Sequence, residues 1–416
     1  LAWLSGWLEP LTIFAGWRLS LGLLAFWAAL LIPAFGSHNG VSPPIDASLP
    51  FWQQRLLGVW SHWDGEWFLH VAEVGYRPGE VTAPFFPLYP VLVRLVNVFL
   101  GENSYLLAGV VAGGIAGLAT FCLFYRLVEH DFDKPLAKQS VIYLAVFPTS
   151  FFLTACYSEG LFLALALGAF LVARRYSNRW LAGVLVGLAS LTRNLGLLLL
   201  IPLGWEWLQQ QRPTLFNPAG GRLLERLKQN WRAVVGLVLL GGWSITLFSS
   251  WLLFQAQVLG DPFKFVTLQS QWMWDRESAW PWETLGRSIW LVLSGKGETL
   301  SSSPPGFHEN HNLLDLGFWA FIALLFLVAC YQSWRKRLPF SYLLWFGLAL
   351  VVPMFSPSPQ QPLMSFPRFS LLAFPAFVVL AQMGLRWRFV HYAYLISGLL
   401  LLALLFSRFA NWYWVA

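Results

Sequence analysis

The sequence predicts an all-α polytopic membrane protein. Three observations carry this. Hydrophobic residues make up 57% of the chain and charged residues 11%, against roughly 25% charged in soluble domains. Apolar runs near the ~20 residues that cross a bilayer recur from one end of the chain to the other. Most stretches between them are short, with Arg and Lys in small clusters, and none shows the alternating strands and helices of a soluble nucleotide-binding domain. The 25 Trp and 35 Phe residues suit membrane–water boundaries.

Taken in order, apolar runs lie at 14–35, 104–126, 139–155, 158–176, 180–192, 194–209, 232–256, 313–333, 340–356, 366–385 and 389–410, giving about eleven spans. The first is too long for a signal-peptide core and has no clear cleavage site. The second holds "AGVVAGGIAGLA" (108–119), small residues that permit close helix packing. Residues 180–209 are either two short helices meeting at Thr192-Arg193-Asn194 or one long tilted helix. Cys122, Cys156 and Cys330 lie in or beside apolar runs without metal spacing and read as small core residues.

Placing the N-terminus in the cytoplasm puts most Lys and Arg on that side, including Lys134 and Lys138, Arg174 and Arg175, the Arg335-Lys336-Arg337 cluster, and Arg386 and Arg388. The two long loops, 36–103 and 257–312, then face outward, and long loops are where function concentrates. The net charge of +7 forms no basic face or domain, which excludes nucleic acid as a partner; membrane lipids remain. No Asn-x-Ser/Thr sequon occurs, against a heavily glycosylated luminal surface.

The first long loop contains "WSHWDGEWFLHVAEVGY" (60–76). As a helix over 55–75, at about 100° per residue, it has an apolar stripe of Leu56, Trp60, Trp63, Trp67, Val71 and Val74. His62, Glu66 and Glu73 share the wettable face, and Asp64 falls at the margin of the tryptophan stripe. Such a helix lies on the outer membrane surface, Trp side down. A carboxylate at an apolar boundary holds a proton more readily than one in water, which suits a general base near neutral pH. An interfacial helix whose Asp is a cap or simply solvated fits the same pattern, and Gly65 can break the helix and re-aim Asp64. "APFFPLYPVLVRL" (83–95) carries too many prolines for a span interior; it reads as a rigid aromatic turn entering a second amphipathic helix.

Three ionisable residues sit at span ends on the outer side, where such groups are costly: Glu159, Arg193 and Arg368. The two arginines oppose the positive-inside bias. An anionic ligand explains them, since guanidinium suits bidentate phosphate binding; so does snorkelling to lipid head groups. The second long loop holds "QSQWMWDRESAWPWETL" (269–285). Its four tryptophans suit an isoprenoid chain, a sugar or an ordinary interfacial belt, and Gln271 and Arg276 add hydrogen-bonding capacity. Residues 299–312 read as a mobile loop, and His308, Glu309 and His311 make an incomplete metal set. No phosphate-binding glycine loop, nucleophile elbow or zinc-protease motif occurs. No cofactor or metal is expected, and any sugar donor is therefore expected to be lipid-borne.

"HWDGEWFLHVAEVGY" followed by "FFPLYPVLVR" resembles the signature of the GPI mannosyltransferase II (PIG-V type) family and its prokaryotic relatives. "FPTSFFLTACYSEGLF" (147–162), "LTRNLGLLL" (191–199), "QSQWMW" (269–274) and "FPRFSLLAFPAF" (366–377) resemble the family's later segments in order. Asn194-Leu195-Gly196 departs from the family's tighter Ser/Asn-Gly pattern. The resemblance implies a GT-C-type glycosyltransferase fold, with a large first outer loop carrying the catalytic carboxylate. It also implies inverting transfer of a sugar, mannose in the family, from a polyprenyl- or dolichyl-phosphate donor. Carried over, Asp64 is the base that deprotonates the acceptor hydroxyl. Arg193, with Arg368, holds the donor phosphate. Trp63, Glu66, Tyr157, Glu159, Asn194 and Gln271 shape the pocket.

The acceptor stays open among a glycolipid, a lipid-linked oligosaccharide and a protein. The resemblance is to the prokaryotic branch, which implies a prokaryotic plasma membrane rather than the endoplasmic reticulum. Competing classes are a transferase for another lipid-linked sugar, a flippase or transporter of such lipids, and a non-catalytic scaffold subunit. Transporters place ionisable groups near the midplane and often carry repeats; here the charges gather at the outer surface and no repeat is seen. The oligomeric state is not written in the sequence.

Overall fold

The computed structural model describes residues 2–33, 56–101, 104–215, 231–271, 275–295 and 311–415. Among these residues every regular element is helical. Five helices are long and apolar enough to cross a membrane: Gly6–Leu31 within α1 (Ala2–Leu31), α4 (Tyr105–Asp131), Val234–Leu259 within α9 (Trp231–Leu259), α12 (His311–Trp334) and α16 (Arg388–Ala410). A sixth is broken: Phe366–Leu372 and α15 (Phe374–Arg386) meet at 79°. The chain is thus a multi-pass helical membrane protein.

The remaining expected spans are occupied by shorter helices: α5 (Lys134–Ala145), α6 (Glu159–Arg175), α7 (Arg179–Ser190), α8 (Leu200–Leu215) and α13 (Phe340–Val351). Apolar run length overestimates continuity here. The turns between these helices are themselves apolar 3-10 segments, such as Ser150–Leu153 and Val352–Phe355. Residues 180–209 are resolved in favour of two helices with a break. Arg193 is extended (φ −157°, ψ 143°) and a 3-10 turn, Asn194–Leu199, leads into α8.

Local chemistry sets the ends. Ser104 accepts from the Leu107 N–H to start α4, Asp133 from Leu136 to start α5, and Asn178 from Leu181 to start α7. The small-residue stripe of α4 does more than admit a helix. A Cβ on Gly113 would meet the Ala155 carbonyl oxygen at 2.5 Å, and one on Gly117 the Leu153 oxygen at 2.9 Å. The stripe therefore seats the irregular segment 153–158, which delivers Tyr157, Ser158 and Glu159.

The first loop corrects the surface-helix expectation. A 3-10 turn, Gly58–Ser61, is followed by a reversal at Trp63 (φ 60°, ψ −121°), and only then by α2 (Asp64–Val74). Trp60 does not face lipid: it is 2% exposed, under the Arg18 guanidinium at 3.6 Å and against Phe406 at 5.2 Å. His62 and Glu66 are buried, not wettable; Glu73 alone of that set is exposed. The reversal is held by long-range packing. His62 Nδ1 lies 2.9 Å from the Phe409 carbonyl and its ring stacks on Trp412 at 4.0 Å. The aromatic turn leads into α3 (Leu88–Phe99), with Tyr89 and Val93 buried and Val91, Leu95 and Val98 exposed.

In the second loop, α10 (Lys264–Gln271) precedes and α11 (Pro281–Leu293) follows residues 275–280, which form no regular element. Trp272, Trp274, His308 and Glu309 lie outside the described residues. Trp280 and Trp282 are exposed and stacked on each other at 4.9 Å, and His311 is buried at the start of α12. Cys122 and Cys156 are buried free thiols and Cys330 is half-buried.

Candidate active site

Helix starts and breaks converge on a cavity of about 210 Å³. Asp64 enters it as the first residue of α2, Glu159 as the first residue of α6, and Arg193 from the break between α7 and α8. Arg368 comes from the short helix α14 (Phe366–Phe369), on the site side of the 79° bend. The bend frees backbone carbonyls, and side chains take them up: Thr149 donates to Pro367 O at 2.8 Å and Trp345 to Leu372 O at 2.8 Å.

The four charges form one chain. Arg368 Nη1 donates to Asp64 Oδ2 at 2.7 Å, and its Nε lies 3.2 Å from Glu159 Oε1. Arg193 Nη1 donates to the same Glu159 oxygen at 2.5 Å and approaches Ser158 Oγ at 3.4 Å. Exposure separates the carboxylates: the side chain of Glu159 is 1% exposed and that of Asp64 is 19%. Glu159 is an internal counter-ion that fixes two guanidiniums. Asp64 lines the cavity with one oxygen held by Arg368. Aromatic faces align the cations, with Arg193 4.9 Å above Phe369 and Arg368 5.3 Å above Tyr157. Tyr157 is anchored by its hydroxyl to His62 O at 2.9 Å.

Asp64 is therefore not at a lipid margin but inside an ion-paired cluster. The local helix pattern cannot show this, because its partner is 304 positions away. Asn194 and Tyr157 also line the cavity. Trp63 stands behind the wall, edge-on to Trp414 at 5.2 Å. Glu66 is buried in α2 and does not line the cavity, and Gln271 is exposed at the end of α10 outside it. Gln269, two positions earlier, takes the lining place.

Arg276 is a third cavity guanidinium, which sequence reasoning left out of the site. Its Nη1 donates to Ser356 O at 2.6 Å, and its backbone N–H to Gln269 O at 2.9 Å. No carboxylate pairs with it among the described residues. Burial, with Arg368 and Arg193 nearby, pulls it down to about 10. With Asp64 and Glu159 ionised, three guanidiniums face two carboxylates, a surplus positive charge in a partly closed space. The signal that marked Arg193 and Arg368, an arginine on the outer side against the charge bias, applies to Arg276 as well. Trp414, from the end of the chain, also lines the cavity and carried no local signal.

Such an arrangement can bind an anion at the guanidiniums and hold a carboxylate beside it. A helical membrane protein with a charged cavity of this kind, at one end of its bundle, is the class that the fold and site define. The chain belongs to the mannosyltransferase (PIG-V) family, whose model matches residues 13–267. Asp64, Glu159 and Arg193 fall inside that match; Arg276, Arg368 and Trp414 lie beyond it.

Among curated proteins, the chain is 36% identical over 121 residues to a GPI mannosyltransferase 2 of Drosophila melanogaster, covering 26% of each chain. It is 32% identical over 157 residues to a GPI alpha-1,6-mannosyltransferase 2 of Rattus norvegicus, covering 35% of this chain and 31% of that one. The aligned stretches thus span only about a quarter to a third of those relatives. The structure of an Archaeoglobus fulgidus oligosaccharyltransferase overlays on 96% of this chain and 56% of its own, at 13% identity and a TM-score of 0.41. A superposition this loose fixes no function.

Proposed function

We propose that the protein is a GT-C-type membrane glycosyltransferase that moves a mannosyl group from a polyprenyl- or dolichyl-phosphate donor to a hydroxyl of a glycolipid or lipid-linked acceptor. The reaction takes place at the face bearing the two long loops. The observation that carries this reading is the pairing, in one cavity, of a reachable carboxylate, Asp64, with a surplus of guanidinium over carboxylate. Family membership supplies the sugar.

Transfer is a single inverting displacement. The acceptor oxygen attacks the anomeric carbon while the bond from that carbon to the phosphate oxygen breaks, and the electron pair leaves with the lipid phosphate. The acceptor proton passes to Asp64 through the oxygen not held by Arg368. Arg193, Arg276 and Arg368 offset the charge growing on the leaving phosphate. Glu159 keeps two of these cations in place. It is too enclosed to meet an acceptor. The absence of sequons and the resemblance to the prokaryotic branch support a prokaryotic plasma membrane as its location.

Purified protein in nanodiscs, given radiolabelled polyprenyl-phosphate-mannose and a lipid extract of the host, tests the reading. Wild type is expected to label a lipid that also identifies the acceptor, and Asp64→Asn to label none while still binding donor. Equal labelling by both removes Asp64 as the base. Labelling only from a different lipid-phosphate sugar replaces the donor. In sealed vesicles, movement of donor lipid across the bilayer with no transfer, by both proteins alike, points to a flippase instead.

A further inference from the structure

The residues after α16 form a fastened tail rather than a loose end. Asn411 Nδ2 donates to Ala28 O at 3.3 Å and Ser407 O at 2.8 Å, and the backbone N–H groups of Trp412 and Tyr413 return to Phe409 and Arg408. Trp412 takes φ 65°, a conformation that L residues adopt rarely, and stacks on His62 at 4.0 Å. Val415 is 2% exposed within the main core. Between these anchors Trp414 reaches the cavity wall. It meets Trp63 edge to face at 5.2 Å and 85°, and it lines the same cavity as Asp64. The indole N–H groups of Trp63 and Trp414 are both buried and have no acceptor among the described residues. A buried donor without a partner is costly.

We propose that Trp414 is the platform on which the acceptor's sugar ring packs, presenting its hydroxyl to Asp64. This rests on the transferase reading and goes beyond it. An indole ring offers a large, rigid apolar face with one polar handle, which suits the C–H face and hydroxyl rim of a pyranose. The guanidiniums take the phosphate end of the donor, so the aromatic wall beside the carboxylate is left to the acceptor. Trp414 lies beyond the family match, which ends at residue 267.

Two readouts test the platform. In transfer kinetics, Trp414→Ala is expected to raise the acceptor KM about tenfold or more, and Trp414→Phe much less, with the donor KM unchanged for both. A donor KM that rises instead assigns Trp414 to the donor lipid and overturns the proposal. The second readout needs no activity. In protein labelled with 5-fluorotryptophan, the fluorine resonance missing from Trp414→Phe identifies residue 414. That resonance is expected to shift on titration with methyl α-mannoside or methyl glucoside, and not with sugar-free polyprenyl phosphate. A shift with polyprenyl phosphate alone, or none with either glycoside, overturns the platform. A glycoside-induced shift in protein that transfers no sugar keeps the platform and overturns the transferase reading, so the two failures are told apart.

Discussion

Two buried ionic clusters sit at opposite ends of α6, and they are built alike. At one end Arg368 lies between Asp64 and Glu159. At the other, Arg174 lies between Asp131, 2.9 Å away, and Glu206. Glu159 and Arg174 are the two termini of the same helix, about 22 Å apart at 1.5 Å per residue. The difference lies in what surrounds them. At the Arg174 end Tyr342 donates to Asp131 and Ser341 to Glu206, so hydroxyls complete the carboxylates in a filled bundle. At the Arg368 end there is a cavity, a surplus guanidinium in Arg276 and a second Glu159 oxygen without a partner among the described residues. Burial of charge does not by itself mark function, since structural ion pairs are buried too. Unmatched charge beside unfilled volume does.

The largest effect should fall on chemistry at the open end alone. Asp64→Asn is expected to lower transfer at least 10²-fold, the scale of a lost general base. The fold should survive, because Arg368 keeps Glu159. Circular dichroism and size-exclusion profiles matching wild type check the second half, and residual transfer near the wild-type rate would break the comparison.

Next comes the filled end. Arg174→Met removes the guanidinium that joins buried Asp131 to half-buried Glu206, while His130 stays 2.9 Å from Asp131, and is expected to cost about 3 kcal/mol of stability, the low end for a broken buried pair. It should leave transfer per folded molecule unchanged. Thermal unfolding and activity normalised to folded protein separate the two terms. If the variant stays stable but loses activity, the two ends are not independent.

A smaller change is expected from Arg276→Gln. Arg276 has no carboxylate partner among the described residues, so its loss orphans no anion and should leave stability near wild type. The donor KM should rise about tenfold, as when one charge-assisted hydrogen bond to phosphate is lost. The same residue sets a pH limit. Its lowered value means that the cation is present through neutral pH and is lost as pH rises through about 10. Wild-type donor binding should weaken across that range, and binding by Arg276→Gln should be flat there.

The smallest is geometric. A Cβ on Gly196 would meet the Ser190 N at 2.3 Å. Gly196→Ala should therefore push the 3-10 turn off the end of α7, shift Arg193, and reduce kcat several-fold with a modest fall in melting temperature. Rescue by no other single change at 196 is expected, since any side chain repeats the clash.

Much of this was legible in the sequence. Apolar runs located the helices. Glu159, Arg193 and Arg368 stood out because charged groups at span ends are costly, and Asp64 because it falls at the margin of a tryptophan stripe in the first long loop. The rest depended on partners far away in the chain. Gly65 allowed a break in the helix near Asp64, but nothing local places the reversal at Trp63, which packs against Trp412 and Trp414. The periodic pattern of 55–75 gave a surface helix because a helical wheel assumes the continuity that Trp63 breaks. Gln271 and Gln269 are two positions apart, and only the orientation of α10 decides between them. Trp414 looks like any interfacial tryptophan until the tail is seen to fold back on the first loop.

The most direct test of the contrast is ligand-induced stabilisation. Melting temperatures are measured in nanodiscs with and without polyprenyl phosphate, for wild type, Arg276→Gln and Arg174→Met; a ligand that binds only the folded state raises the melting temperature. The account predicts a clear rise for wild type and a reduced rise for Arg276→Gln. Arg174→Met should start from a lower melting temperature and show the full rise. A full rise for Arg276→Gln together with none for Arg174→Met would contradict it, because the phosphate would then be read by the filled end and not by the cavity.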